Sequence, residues 1–363
     1  MANYKLQKLD WYIIKKFLGT FFFTLSIFVA IAIVFDITEK LDNFIDREAP
    51  IKEIVFNYYL NFVPYWASVL SPLILFIAVI FFTARMADQT EIVAILSSGV
   101  SFKRLLYPYF VAAFFLAIIT FVFNAYLIPN ASKTRIEFEN KYVRHKFVFK
   151  ERNIHIQLDD ETFIYMENYS NDQNVGYKFS IEKFRGGELY YKLMSNTISW
   201  DSVAASWKIK DYSIRYINPL SERMVNGTEL DTVMDFSPKD FGRKDNIMET
   251  MTLSEINAYI KKVNVRGAES VDIYVIKKNE MFSVPFSTFI LTLIGVSLSS
   301  KKVRGGIGMP LLVGITLCFT YIVLQKFSTT FATKGGLPPL LAVWTPNIIF
   351  GIIGLYLLKI APK

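Results

Sequence analysis

Thiol and imidazole are nearly missing from this chain: one cysteine, Cys318, and two histidines, His145 and His155, among 363 residues. A single cysteine excludes a disulfide within the chain. Two isolated histidines, with no Cys/His cluster at ligand spacing, speak against a metal site. His155 falls in the alternating run Asn153 to Leu158 and reads as a solvated strand position. A phosphate-cradling loop is also missing. Gly305-Gly306-Ile307-Gly308 lacks the Lys and the Ser/Thr of the pattern G-x-x-x-x-G-K-S/T, so no ATP-hydrolysing loop of that kind is expected in this chain. Ser297 lies in a Gly-x-Ser sequence, but no histidine occurs in any apolar stretch to activate it, which leaves small-residue helix packing as its role. No repeat relates the two halves of the chain, against a transporter built from inverted repeats.

What is present is apolar surface in long runs; hydrophobic residues make up 52% of the chain. Six stretches stand out: Phe17 to Phe35, Val63 to Phe82, Leu105 to Ile128, Met281 to Leu298, Ile307 to Leu324 and Leu340 to Leu358. Each is close to the ~20 residues that cross a ~30 Å hydrocarbon core. The first is too long for a signal-peptide core and no small-x-small cleavage site follows, so it is expected to remain as a span. The expected domains are residues 1–130 with three spans, 131–270 with a soluble insert and 271–363 with three more spans.

Charge sets the expected orientation. The net charge of +8 is concentrated beside alternate loops: Lys5, Lys8, Lys15 and Lys16, then Arg85, Lys103 and Arg104, then Lys301, Lys302 and Arg304, and finally Lys359 and Lys363. The intervening loop from Asp36 to Glu53 is acid-rich. This positive-inside pattern predicts cytosolic termini and an exported insert, and it accounts for the basic excess without nucleic acid.

The insert reads as antiparallel β structure, a sandwich or open barrel. Ile154, Ile156 and Leu158 alternate with polar neighbours, and Thr162 to Met166 continues the pattern after an Asp159-Asp160 turn. Further strands are expected over Val175 to Phe184, Glu188 to Trp200 and Trp207 to Ile217, with a bulge or bend near Asp211 where the apolar parity shifts. Turns are expected at Asn171 to Gly176, Gly186-Gly187 and Asn226-Gly227. Tyr165 and Ile214 are expected inside the β domain. Thr252-Leu253-Ser254-Glu255 has capping-box form and predicts a helix, followed by a break at Gly267 and a polar helical approach from Val271. Ile51 to Asn61 is expected along the outer interface, with Tyr58, Tyr59, Tyr65 and Trp66 at headgroup level.

The loop from Arg85 to Arg104 carries the most specific signal. Asp88 and Glu91 have the spacing of a capped helix start, Ile92, Ile95 and Leu96 form an apolar stripe, and Gly99 can end the helix. Two readings stay open: a lever for a soluble partner, or a loop helix resting on headgroups. Here the residues begin to resemble a family. Thr90-Glu91-Ile92-Val93-Ala94-Ile95-Leu96-Ser97-Ser98-Gly99-Val100-Ser101 is similar to the coupling-helix signature of the LptF/LptG (YjgP/YjgQ) permeases, the paired membrane subunits of the lipopolysaccharide exporter. Leu337-Pro338-Pro339-Leu340-Leu341-Ala342-Val343-Trp344-Thr345-Pro346-Asn347 resembles the start of the family's last span. Met251-Thr252-Leu253-Ser254-Glu255-Ile256, with Arg266-Gly267, resembles the helix after its periplasmic domain, and Leu9-Asp10-Trp11-Tyr12-Ile13 leans toward the LptG member.

The resemblance implies a six-helix membrane protein with an inserted periplasmic antiparallel β-jellyroll, without enzymatic activity of its own. It implies a second LptF/LptG-type permease, a cytosolic ABC ATPase dimer that holds the ATP and Mg²⁺, periplasmic LptC/LptA-like jellyrolls joined by strand addition, and lipopolysaccharide as cargo. No cofactor is implied for this chain. In that scheme Glu91 is the charged coupling residue, and Ala94, Ser98 and Gly99 pack in the ATPase groove; simple helix packing and capping is the other reading of those three. Basic residues for lipid phosphates are expected on the outer part of the first span, but here Asp36 and Glu39 occupy that segment and Lys40 is the nearest cation. Lys40 is open to two readings, a phosphate contact or an i,i+4 ion pair with Asp36. Lys133, Arg135 and Lys326 are further candidates, or plain membrane-edge anchors. The first and fifth spans would form lateral gates, with Gly308 and Gly314 allowing close helix approach or serving as small packing residues. A different class of function, a membrane-anchored scaffold or sensor that binds a periplasmic partner through the β domain, is separated from this one by whether a soluble ATPase co-purifies. A lipid-modifying membrane enzyme is the third class; it would keep its activity in an ATPase-free sample.

Overall fold

A computed structural model describes residues 6–144, 152–241, 248–265, 271–302, 306–334 and 336–361. Lys5, His145, Arg266, Gly267, Arg304, Gly305 and Lys363, all singled out above, lie outside the described residues. The chain divides into two compact units, one containing residues 1–142 and 272–363, the other residues 143–249 and 254–271.

The first unit is built on six helices apolar enough to span a bilayer: Lys8–Asp46, Ile51–Asp88, Phe102–Tyr142, Val271–Ser299, Gly308–Lys334 and Pro339–Ile360. They are referred to as the first to sixth spanning helices. The first three are 39, 38 and 41 residues long. At ~1.5 Å per residue they reach about 57–62 Å, roughly twice a hydrocarbon core. Hydropathy alone ends them too early, because their extensions are amphipathic rather than apolar. In the third helix Ile128, Ser132, Arg135, Ile136, Glu139 and Tyr142 are buried at helical spacing well past residue 130. Ile51 to Asn61, the helically spaced stretch expected along the outer interface, forms the opening of the second helix, with a π-helical turn over Ile54–Tyr59. All six helices contribute to one core, through Phe17, Phe76, Tyr109, Leu291, Cys318 and Phe350 among others.

The second unit is a seven-stranded antiparallel sheet: β1 (Ile154–Gln157), β2 (Thr162–Met166), β3 (Asn168–Ser170), β4 (Val175–Arg185), β5 (Glu188–Asp201), β6 (Ser206–Asn218) and β7 (Ser221–Thr232). The order is β1-β2-β4-β5-β6-β7, with β3 paired to β4. Alternation delivers one apolar face, where Ile164, Met166, Phe179, Leu193, Ile198, Ile209 and Ile214 meet. Trp207 is fully buried and donates its indole N–H to the Phe236 carbonyl at 2.9 Å, so the segment after β7 closes over this core. At the β5–β6 turn, Asp201 accepts hydrogen bonds from Lys208 and from the Ala204 and Val203 N–H groups, which hold its carboxyl down at about 2.

The expected bend at Asp211 is present and extends across the sheet. Asp211 and Lys178 both have left-handed backbone, with φ of 48° and 49°. Inward-facing parity changes there, from Trp207 and Ile209 to Ile214 on β6 and from Leu193 and Ser195 to Ile198 on β5, while strand register is kept. Ser195 stitches the crease: its hydroxyl donates to backbone carbonyls of Thr197 and Lys210 and accepts from the Thr197 N–H. Two expectations fail. Asn226-Gly227 is not a turn but the middle of β7, where Gly227 pairs with Tyr212. A Cβ on Gly227 would lie 2.4 Å from the Tyr212 ring, so the glycine makes room for an aromatic ring; the chain reverses at Pro219-Leu220 instead. Tyr165 points to the outer face with its hydroxyl on Asn153 at 2.9 Å, because Ile164 and Met166 take the inward positions. Leu253–Val265 forms the expected amphipathic helix, with Ile256 fully buried.

Candidate functional site

Between the second and third spanning helices lies a short loop helix, Glu91–Ser97. Asp88 does not cap it; Asp88 is the last residue of the second helix, and Thr90 takes the N-cap position without a side-chain cap bond. Thr90 has φ of 61°, a left-handed conformation that costs a β-branched residue about 1–3 kcal/mol. The reversal into the loop helix is therefore tight and strained. Gly99, at φ of 87°, stops the helix as expected, its N–H bonding to the Leu96 carbonyl at 3.1 Å. Ile92 is buried and Ile95 and Leu96 pack on the same core, whereas Val93, Ala94, Ser97, Ser98 and Gly99 are exposed. One face is seated, the other is open.

Two residues of the first helix hold this region. Asp10 is buried and forms a bidentate ion pair with Arg104 at the start of the third helix, at 2.6 and 2.7 Å. It also accepts the Gln7 backbone N–H at 2.7 Å, which satisfies a helix-terminal donor. Tyr12 donates its hydroxyl to the Glu91 carboxylate, 3.2 and 3.3 Å from its two oxygens. On the other side, the Lys302 ammonium donates to the Asp88 carbonyl at 3.1 Å.

The opposite ends of the first three helices carry the other candidates. Lys40 is 2.6 Å from Asp36 and also donates to the Tyr58 hydroxyl. Asp36 in turn accepts from Tyr58 at 3.0 Å and Tyr59 at 3.2 Å. This cluster is walled by Phe44, Phe62 and Phe138, whose rings pack edge-on and tilted about Tyr58. Lys40 thus makes the local ion pair, and does so largely buried. Arg135 is buried too, 2.9 Å from Glu139 and stacked 4.4 Å over the Tyr65 ring. Lys133 and Lys326 are exposed. Gly314 is buried where a Cβ would come 2.0 Å from Ile80 of the second helix, so it permits a close contact within this chain; Gly308 is exposed, with open space around it.

Sequence reasoning used Asp10 and Tyr12 only as a resemblance and did not assign Arg104 or Glu139. The available signal was Asp10, a lone acid between Lys8 and Lys15 at the head of an apolar run. Its partner is 94 residues away, and the partner of Tyr12 is 79 away, beyond the reach of any local pattern.

The comparisons with known proteins agree with this arrangement. Residues 11–360 match the family described as lipopolysaccharide export system permease LptF/LptG. The lipopolysaccharide export system permease protein LptG of Escherichia coli strain K12 is 20% identical over 307 residues, covering 83% of this chain and 84% of that protein. The LptG of Escherichia coli O6:H1 strain CFT073 matches to the same extent. With its six apolar helices, inserted antiparallel sheet and seated loop helix, and a match over nearly its whole length, this chain belongs to the LptF/LptG family of lipopolysaccharide export permeases.

Proposed function

We propose that this chain is one permease of an ATP-driven exporter that extracts lipopolysaccharide from the inner membrane and hands it to a periplasmic bridge of β-jellyroll proteins. The observation that carries the reading is the loop helix, buried along Ile92 and open along Ala94, Ser98 and Gly99, in a chain of this family. A cytosolic ABC ATPase dimer, which binds the ATP and Mg²⁺, engages that open face, with Glu91 as the charged coupling residue. The basic residues beside alternate loops support cytosolic termini and a periplasmic β domain. A second permease of the same family faces the first and fifth helices, which are the least covered, with 17% and 22% of their apolar windows buried. Gly308 and Gly314 belong to that fifth helix, where Gly308 is the one open to a neighbour.

Work is required because each methylene withdrawn from the bilayer costs about 0.8 kcal/mol and the lipid carries several acyl chains. As the cavity between the permeases collapses, the acyl chains leave toward the apolar face of the sheet around Ile214, and strand addition at a sheet edge joins LptC/LptA-like partners. Lys40, Lys133, Arg135 and Lys326 are the candidate phosphate contacts; Lys133 and Lys326 are exposed on the third and fifth helices, while Lys40 and Arg135 are paired with Asp36 and Glu139. The test is co-purification. A Glu91→Lys variant is expected to lose the ATPase from purified preparations while the two permeases stay together. Undiminished ATPase association in that variant would remove Glu91 from the interface and the coupling scheme with it.

A further inference from the structure

We propose that Tyr12 is a positioning residue that transmits displacement of the loop helix to the inner end of the first spanning helix. The inference rests on the reading that an ATPase engages the loop helix, and adds where the push goes.

The turn into the loop helix has polar links on two sides. The Lys302 ammonium, three residues past the end of the fourth helix, reaches the carbonyl of Asp88, the last residue of the second helix, at 3.1 Å. The Tyr12 hydroxyl reaches Glu91 at 3.2 Å from the first helix. Lys302 thus holds the end of the second helix, whereas Tyr12 joins the loop helix itself to the first. Around Tyr12 the first helix is packed, with Ile13 and Phe17 fully buried, so a displacement of Glu91 is passed to this segment as a unit. The phenol–carboxylate hydrogen bond is charge-assisted and directional, so it conveys a change in the carboxylate's position where apolar contact would slip. Asp10, two residues earlier, fixes the start of the same helix to Arg104, which gives the moving segment a pivot. The strained joint at Thr90 is short, so loop-helix motion is not absorbed by slack there.

The experiment uses the complete complex of both permeases and the ATPase in lipid vesicles loaded with lipopolysaccharide. Tyr12→Phe keeps the ring and removes the hydroxyl. Lipid exported per ATP hydrolysed is expected to fall about ten- to a hundredfold, the scale of one hydrogen bond to a charged group. A second variant, Tyr12→His, puts a ring N–H donor back at this position and is expected to recover export per ATP, while ATPase co-purification and ATP hydrolysis stay at the wild-type level in both variants, a pattern that a merely structural hydroxyl would not give. Wild-type export per ATP in Tyr12→Phe overturns the proposal, as does a Tyr12→His variant that exports no better than Tyr12→Phe. An ATPase missing from wild-type preparations would overturn this inference and the underlying reading together, and is seen on a gel before transport is measured.

Discussion

The first and fourth spanning helices are both long and apolar, yet the protein holds them in opposite ways. The fourth is packed along its length, with Ile290, Leu291, Ile294 and Val296 in the shared core and Ser283 bound through its carbonyl to Asn347 of the sixth helix at 3.0 Å. The first is tied at its two ends, by Asp10 and Tyr12 near its start and by Asp36 and Lys40 among aromatic rings further along. Between Phe21 and Asp36 only Val29 is buried. The difference teaches where a permease can move. A helix fixed at its ends and uncovered in the middle can shift against a neighbour or a lipid, while the fourth helix is held in the packed core.

Each part of this contrast can be broken. The largest expected effect is at the inner tie: Asp10→Ala removes the buried carboxylate that pairs with Arg104 and accepts the Gln7 N–H, and roughly 3 kcal/mol of stability should be lost. Thermal unfolding in detergent reads this, and an unchanged Tm would mean the tie is ornamental. Next, Asn347→Leu removes the bonds to the Ser283 carbonyl and from the Tyr321 hydroxyl, at a cost of about 2 kcal/mol by the same assay. Smaller again is Gly295→Leu, whose Cβ would start 2.8 Å from Val79. Overpacking there should cost about 1–2 kcal/mol. The smallest belongs to the middle of the first helix, where Phe23 is 69% exposed. Phe23→Ala should change the stability of the isolated chain by less than about 0.5 kcal/mol. If it cost as much as Asn347→Leu, the first helix would be packed like the fourth and the contrast would collapse.

The sequence disclosed what is written in periodicity and little that depends on distant pairing. Six spans were legible because hydropathy is a local sum, and the sheet because Ile154, Ile156, Thr162, Ile164 and Met166 alternate. The bend at Asp211 was legible for the same reason: parity changed within one strand. The extensions of the first three helices were not, since residues such as Arg135 and Glu139 read as polar until each is seen to bury the other's charge. Asn226-Gly227 misled because a glycine that admits the Tyr212 ring has the same letter as one that turns the chain. At the candidate site the loop helix and its Gly99 stop were visible in advance. Asp10 with Arg104 and Tyr12 with Glu91 were not, because nothing local marks pairs closed across 94 and 79 residues of chain.

On the function proposed above, lipid passes out of the membrane to the apolar face of the β domain under power from an external ATPase. Ile214, 9% exposed on that face, is the place to ask. With a photo-crosslinking residue at position 214 in the intact complex, lipopolysaccharide adducts should accumulate when ATP is added and stay at background with a non-hydrolysable analogue. Adducts that form equally without hydrolysis, or none at all from an assembled and ATP-hydrolysing complex, would contradict the account.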